Sequence, residues 1–318
     1  MKKQFINTLA VGNIVDDIFA LSKKSLAQKK DGNNFLNVTL TDKTGNIKGV
    51  VWDNVDEISA NVKTGDFVHV EGNISEYNGS LQLVIKKMKM CPAELMPDSS
   101  DFIARTPRNT DSMFDRLVKM VNNFIKDKYL KQLLEAFWND KDFVRKFKDA
   151  PAAKKMHHNY IGGLLEHTLS MATLVEKITG HYSGIDMELL MTGAIFHDIG
   201  KIREFDYAKS VIDYSDEGRL LSHIVIGCQM IDEKIREIRD FPEEKALLLR
   251  HMIISHHGAR EFGSPELPKT IEAVLLNYID EIDAKVNGIR DFMSKEDSNG
   301  HWTSYHNVLG RHFYKGRR

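Results

Sequence analysis

A small β-barrel followed by an all-helical bundle is the architecture this sequence predicts. Three observations carry it: period-two alternation from about Val11 to Met90, a proline-punctuated stretch from Cys91 to Asp111, and a helical period nearly everywhere beyond. The chain has 318 residues, more than one hydrophobic core usually supports, which favours two domains. Lys and Arg total 44 against 45 Asp and Glu, and 42% of the residues are apolar. That balance excludes a disordered tail protein and a strongly basic chromatin-like binder. The two cysteines, Cys91 and Cys228, are too few for a disulfide framework or a thiolate zinc site, which suits a reducing compartment. The N-terminal stretch lacks a continuous apolar run, and no segment approaches the roughly 20 apolar residues of a membrane span. A cytoplasmic protein without membrane contact is the expectation.

In the first region Leu36, Val38 and Leu40 alternate with Asn37, Thr39 and Thr41, and Leu81, Leu83 and Ile85 repeat the pattern. Alternation of this kind builds half-buried strands. The turns between them are Asp42-Lys43-Thr44-Gly45-Asn46 and Tyr77-Asn78-Gly79-Ser80, where Gly and Asn accept positive φ. Asn54 to Val62 interrupts with a short helix-like run, and Phe67 to Gly72 resumes as strand. Three strands, a short helix and two strands in about eighty residues resemble an OB-fold. The expected division is residues 1–92 as the barrel, 93–112 as linker and 113–318 as the helical domain, with a metal-binding core at about 157–287.

Within the helical region, His167 shares a face with Leu164, Met171, Leu174 and Ile178, which directs its imidazole into the core. The run Glu188 to Ile199 ends in His197-Asp198-Ile199-Gly200-Lys201, setting a neutral nitrogen ligand beside an anionic oxygen ligand. A carboxylate can bridge two metals, and Gly200 is expected where a helix closes in a left-handed turn. His223, His256-His257 and Asp280 follow at intervals long enough for each to come from a separate helix, all beside apolar neighbours. Asp283, one turn beyond Asp280, shares its face and is its rival. Imidazole and carboxylate ligands without thiolate favour manganese, iron, cobalt, nickel or zinc over calcium. Manganese is the first expectation.

The series His167, His197-Asp198, His223, His256-His257 and Asp280 resembles the ligand set of the dinuclear HD phosphohydrolase superfamily. That resemblance implies one divalent metal on His167, His197, Asp198 and Asp280, and a second on His223, His256 and His257, with Asp198 bridging. Over nearly its whole length the chain is similar to the YhaM-type 3′-to-5′ exoribonucleases, which place an OB-fold before an HD domain. The stretches His157 to Thr168, Tyr278 to Lys285 and Trp302 to Arg311 carry the likeness.

Two cations side by side can activate water, neutralise phosphoryl oxygens and stabilise a leaving alkoxide, so no nucleophilic side chain is required. The sequence offers no Gly-x-Ser-x-Gly elbow. The expected catalytic residues are Asp198, Lys201 as a point charge toward phosphate, and His158 as a leaving-group acid or phosphate contact. The barrel is expected to bind single-stranded RNA or DNA by stacking bases on Phe35 and Tyr77, with Lys86 and Lys87 along the backbone. Trp52 and Phe67 are expected in the core. Rival readings are a phosphohydrolase acting on free nucleotides and a non-catalytic nucleic-acid-binding protein. Exposed helical faces leave room for a homo-oligomer.

Overall fold

The computed structural model describes residues 2–29, 32–92, 97–154, 159–207, 211–294 and 300–316. The chain divides into two compact units, Met1–Arg105 with Asp206–Asp213, and Thr106–Phe205 with Tyr214–Arg318. No helix among the described residues is long and apolar enough to cross a membrane.

In the first unit the predicted alternation forms five strands: β1 Ile14–Gln28, β2 Asn34–Asp42, β3 Gly45–Val51, β4 Phe67–Tyr77 and β5 Ser80–Met90. They close into a barrel in the order β1-β2-β3-β5-β4, with β3 and β5 parallel and β1 pairing back onto β4. Helix α1, Val55–Asn61, lies between β3 and β4 in sequence, as an OB-fold requires. Closure removes the unpaired edges that an open sheet would leave. Along β2, Leu36, Val38 and Leu40 point inward while Phe35, Asn37 and Thr39 stay partly exposed. The β4–β5 reversal uses Asn78 and Gly79, both at positive φ, matching the right-handed twist of the strands it joins.

The second unit contains α2 Thr110–Phe124, α3 Lys128–Trp138, α4 Lys141–Asp149, α5 Gly163–Ile178, α6 Met187–Phe196, α7 Lys201–Glu204, α8 Asp216–Arg236, α9 Glu243–Ser255 and α10 Ile271–Ser294. Helix α6 is buried along its length from Leu189 to Phe196 and is sheathed by α3, α5, α9 and α10. A helix apolar all round belongs at the centre of a bundle. Whatever follows its C-terminus therefore emerges in the interior.

Side-chain caps set several helix starts: Asn109 for α2, Asp127 for α3, Asp140 for α4, Asp186 for α6 and Ser215 for α8. Asp140 accepts the Phe143 N–H at 3.1 Å, and that bond, with Lys234 nearby, holds its carboxyl below the usual range. A depressed folded pKa contributes stability that is present above the unfolded value and lost as pH falls through the folded one. Asp140→Ala should therefore cost about 0.5–2 kcal/mol near neutral pH. In urea melts at a series of pH values, its gap from the parent should close as pH is taken below about 3.9.

The structure departs from the all-helical expectation in two places. A two-stranded sheet joins β6, Phe205–Asp206, to β7, Asp213–Tyr214. Beyond α10, residues 300–316 form a hairpin with isolated bridges Trp302–Tyr314 and His306–Arg311. Neither piece is long enough to show a period in sequence.

Candidate metal centre

His197 caps α6 and Asp198 follows it, so both emerge at the buried end of the central helix. His167 reaches them from α5, His223 from α8, His256 and His257 from the end of α9, and Asp280 from α10. They gather into two trios: His167, His197 and Asp280 form one, and His223, His256 and His257 the other. Within each trio the ligand atoms lie within 4.8 Å of one another.

Asp198 stands between the trios. Its Oδ2 lies 3.4 Å from His197 Nε2 and 3.7 Å from His167 Nε2, while Oδ1 lies 3.5 Å from His223 Nε2 and 3.7 Å from His256 Nε2. Lys201 Nζ donates to Oδ2 at 2.6 Å. Burial works against charge on Asp198, yet Lys201, His197 and His223 hold its carboxyl well below the usual range. The Asp198 carboxylate is thus ionised, with one oxygen facing each trio.

Each of the five histidines spends its Nδ1–H on an acceptor. His197 donates to Ala194 O at 2.9 Å, His256 to Ile253 O at 2.7 Å, and His257 to Phe262 O at 2.9 Å. His223 donates to Glu204 Oε1 at 2.9 Å and His167 to Asp283 Oδ2 at 2.8 Å. A hydrogen bond from Nδ1 leaves Nε2 as the atom facing the cluster, the orientation that metal-binding histidines adopt. Burial and the neighbouring His257 hold His256 well below its ordinary pKa, which keeps its lone pair available.

His167 and His197 turn their Nε2 atoms toward each other. The two Nε2 atoms are 3.1 Å apart, a separation that two ligands of one cation can have when each bond is about 2.1 Å. Burial opposes a charge on His167, but Asp280 and Asp283 outweigh it and push its pKa up to about 10, so a cation bound here would take the place of a proton on this ring. On the other side, buried Asp198 Oδ1 and His223 Nε2 have no hydrogen-bond partner among the described residues and face each other. Leaving buried polar atoms unmade costs about 1–3 kcal/mol each, a cost that cation binding removes. The donor set fits a pair of divalent cations.

Asp280 and its rival Asp283, on one helical face in sequence, differ in space. Asp280 Oδ1 lies 3.4 Å from His167 Nε2, on the cluster side. Asp283 sits on the opposite ring nitrogen and accepts further bonds from Ser170 Oγ and, at 2.9 Å, Asn287 Nδ2. Asp283 orients the ring.

Glu204 escaped the sequence reading. Its Oε1 accepts both the backbone N–H and the Nδ1–H of His223, each at 2.9 Å. The preceding residue, Ser222, kinks α8 at φ 62° and ψ 161°, a conformation that costs a non-glycine residue about 1–3 kcal/mol. The kink frees the His223 N–H for Glu204 and redirects the ring. No local pattern announces a carboxylate that meets its histidine 19 residues away.

Gly200 also departs from expectation. Its φ of −60° and ψ of −20° are right-handed, so a left-handed turn is not why glycine stands there. A Cβ on Gly200 would lie 2.0 Å from His223 O and 2.7 Å from Gly227 N, both backbone atoms of α8. Gly200→Ala must push α8 away, at about 1–3 kcal/mol or more for overpacking, and displaces His223 with it. A lower melting temperature together with a reduced metal content, read by elemental analysis, is the expected result.

Residues 164–285 match the HD domain. The HD domain marks a metal-dependent phosphohydrolase, and all seven clustered residues fall inside the match. Residues 21–90 match the OB-fold nucleic acid binding domain, so an OB-fold precedes an HD domain in this chain. The second OB-fold domain of replication protein A from Methanococcus maripaludis is similar at 21% identity over 29% of this chain and 98% of that one, with a TM-score of 0.24. The mitochondrial single-stranded DNA binding protein Rim1 from S. cerevisiae is similar at 16% identity over 26% of this chain and 95% of that one, with a TM-score of 0.22. PriB from Ralstonia solanacearum is similar at 10% identity, covering 26% of this chain and 100% of its own, with a TM-score of 0.23.

On the barrel, Phe35 is half-buried and stacks on Trp52 at 5.1 Å between centroids, while Lys29 Nζ sits 4.7 Å from the Trp52 ring. Trp52, expected in the core, is 41% exposed; Phe67 is buried as expected. Tyr77 is exposed beside the β4–β5 turn. Lys86 is exposed, and Lys87 pairs with Glu71 at 2.9 Å, an exposed bridge too weak to withhold its charge from a ligand. His158 lies outside the described residues.

Proposed function

We propose that the protein is a metal-dependent 3′-to-5′ exonuclease that releases nucleoside monophosphates from single-stranded RNA, and from single-stranded DNA as well. The supporting observation is Asp198, which directs one oxygen toward each trio of an HD domain carried on the same chain as an OB-fold. Polarity and the preference for RNA rest on the likeness to YhaM-type enzymes. In this reading residues 1–92 bind the strand, 93–112 link, and 113–318 cut.

His167, His197, Asp198 and Asp280 would hold one cation, and His223, His256 and His257, with the other oxygen of Asp198, the second. Bound there, two manganese ions would supply an activated water and neutralise the phosphoryl oxygens. Asp283 and Glu204 fix the rings of His167 and His223. Lys201 keeps its ammonium largely buried against Asp198, where it can meet a non-bridging phosphate oxygen. His158 would contact phosphate or protonate the leaving group.

The test is to incubate 3′- and 5′-labelled single strands with purified protein and manganese and to size the products. Mononucleotides from the 3′ label and a shortening ladder from the 5′ label are expected. Intact strands beside hydrolysed free nucleotides would establish the rival nucleotide phosphohydrolase. On the barrel, Trp52→Ala should raise KM for strands by about 5- to 150-fold, the loss of one stacked base, and leave turnover of a small generic diester alone.

A further inference from the structure

The hairpin after α10 is, we infer, a second single-strand binding surface, in which Trp302, Tyr305 and Tyr314 stack bases and Arg311 and Lys315 hold phosphates. The inference rests on the proposed function and adds a surface to it. In a protein of net charge −1, residues 300–318 contain four Lys or Arg and no Asp or Glu. Trp302 is 58% exposed, Tyr305 52% and Tyr314 51%. Hydrogen bonds across the segment hold the backbone that carries these rings.

Thr303 N donates to Phe313 O at 2.9 Å, His306 N to Arg311 O at 2.9 Å, and Lys315 N to His301 O at 2.7 Å. Buried Thr303 accepts the Phe313 N–H on its Oγ1 at 2.9 Å, and the His312 Nδ1–H donates to Thr303 O at 2.9 Å. Phe292 of α10 anchors the hairpin through the rings of His306, at 4.6 Å, and Phe313, at 6.5 Å. Trp302 and Tyr314 stand 5.1 Å apart, tilted by 54°.

Exposed π-faces within a cationic, acid-free segment suit a polyanion that carries flat apolar groups, which describes single-stranded nucleic acid. A basic protein partner is disfavoured by charge, and a lipid surface calls for an amphipathic helix that this hairpin does not form. The metal centre and the hairpin are joined by α10: Phe292 is twelve residues beyond Asp280, about 18 Å along the helix axis. That spacing corresponds to about five stacked nucleotides at 3.4 Å each.

The experiment is fluorescence anisotropy of a labelled single-stranded oligonucleotide titrated with full-length protein in chelator, so that no hydrolysis intervenes. Trp302→Ala should weaken binding by about 5- to 150-fold, and Trp302→Phe should restore most of it, because a ring and its stacking remain. Arg311→Gln with Lys315→Gln, which leaves the ring packing untouched, should lower the salt slope by about 0.7 for each phosphate no longer neutralised. Circular dichroism on each variant checks the fold. Parent-like affinity and salt slope in all three variants would overturn the inference while leaving the strand-cutting reading in place. If the parent protein does not bind single strands, both fail.

Discussion

Asp198→Ala should abolish hydrolysis and reduce the bound metal from two equivalents to one or none. Asp198 carries the charge balance of the whole centre, pairing with Lys201 at 2.6 Å and lying within 3.7 Å of four imidazole Nε2 atoms. Without it the two trios have no common anion, and half-buried Lys201 loses its partner. The fall in turnover should exceed the roughly 10²–10³-fold that removal of one electrostatic donor costs an enzyme. The helical fold should survive, because α6 is held by apolar packing upstream of His197. Elemental analysis, circular dichroism and turnover on the same preparation check all three statements. Full turnover in metal-loaded variant protein would remove Asp198 from the chemistry.

Asp280→Asn and Asp283→Asn should part company. Asp280 faces the cluster, so its loss should lower the metal content itself. Asp283 binds the far nitrogen of His167 and is held by Ser170 and Asn287, so its replacement should keep two equivalents at saturation. It should weaken metal affinity by about 10- to 100-fold, the usual effect of losing the group that orients a ligating imidazole. Metal titration of the two variants side by side measures the difference. Identical losses of stoichiometry would show that both acids act as ligands.

Much of the candidate metal centre was legible because its members are written in local patterns. His167 stands out by sharing an apolar helical face, and the His197-Asp198 pair by closing a continuously apolar helix. Glu204 and Ser222 were not legible. Glu204 matters only because α7 brings it against His223, and the positive φ of Ser222 has no signature in a residue that is usually at ease elsewhere. Trp52 was misplaced for a related reason: alternation assigns faces of a strand, but Trp52 sits just past the end of β3, where it leaves the barrel interior and stacks on Phe35.

The sequence alone determined the barrel, the bundle and the identity of seven side chains suited to a cation, since periodicity and residue chemistry are properties of short stretches. Only the tertiary structure decided that Asp198 turns one oxygen to each trio, that Asp280 and Asp283 take opposite sides of one ring, and that Gly200 yields to the backbone of α8. Each of these depends on distances between elements far apart along the chain. Such distances are fixed by packing, and no local pattern encodes them.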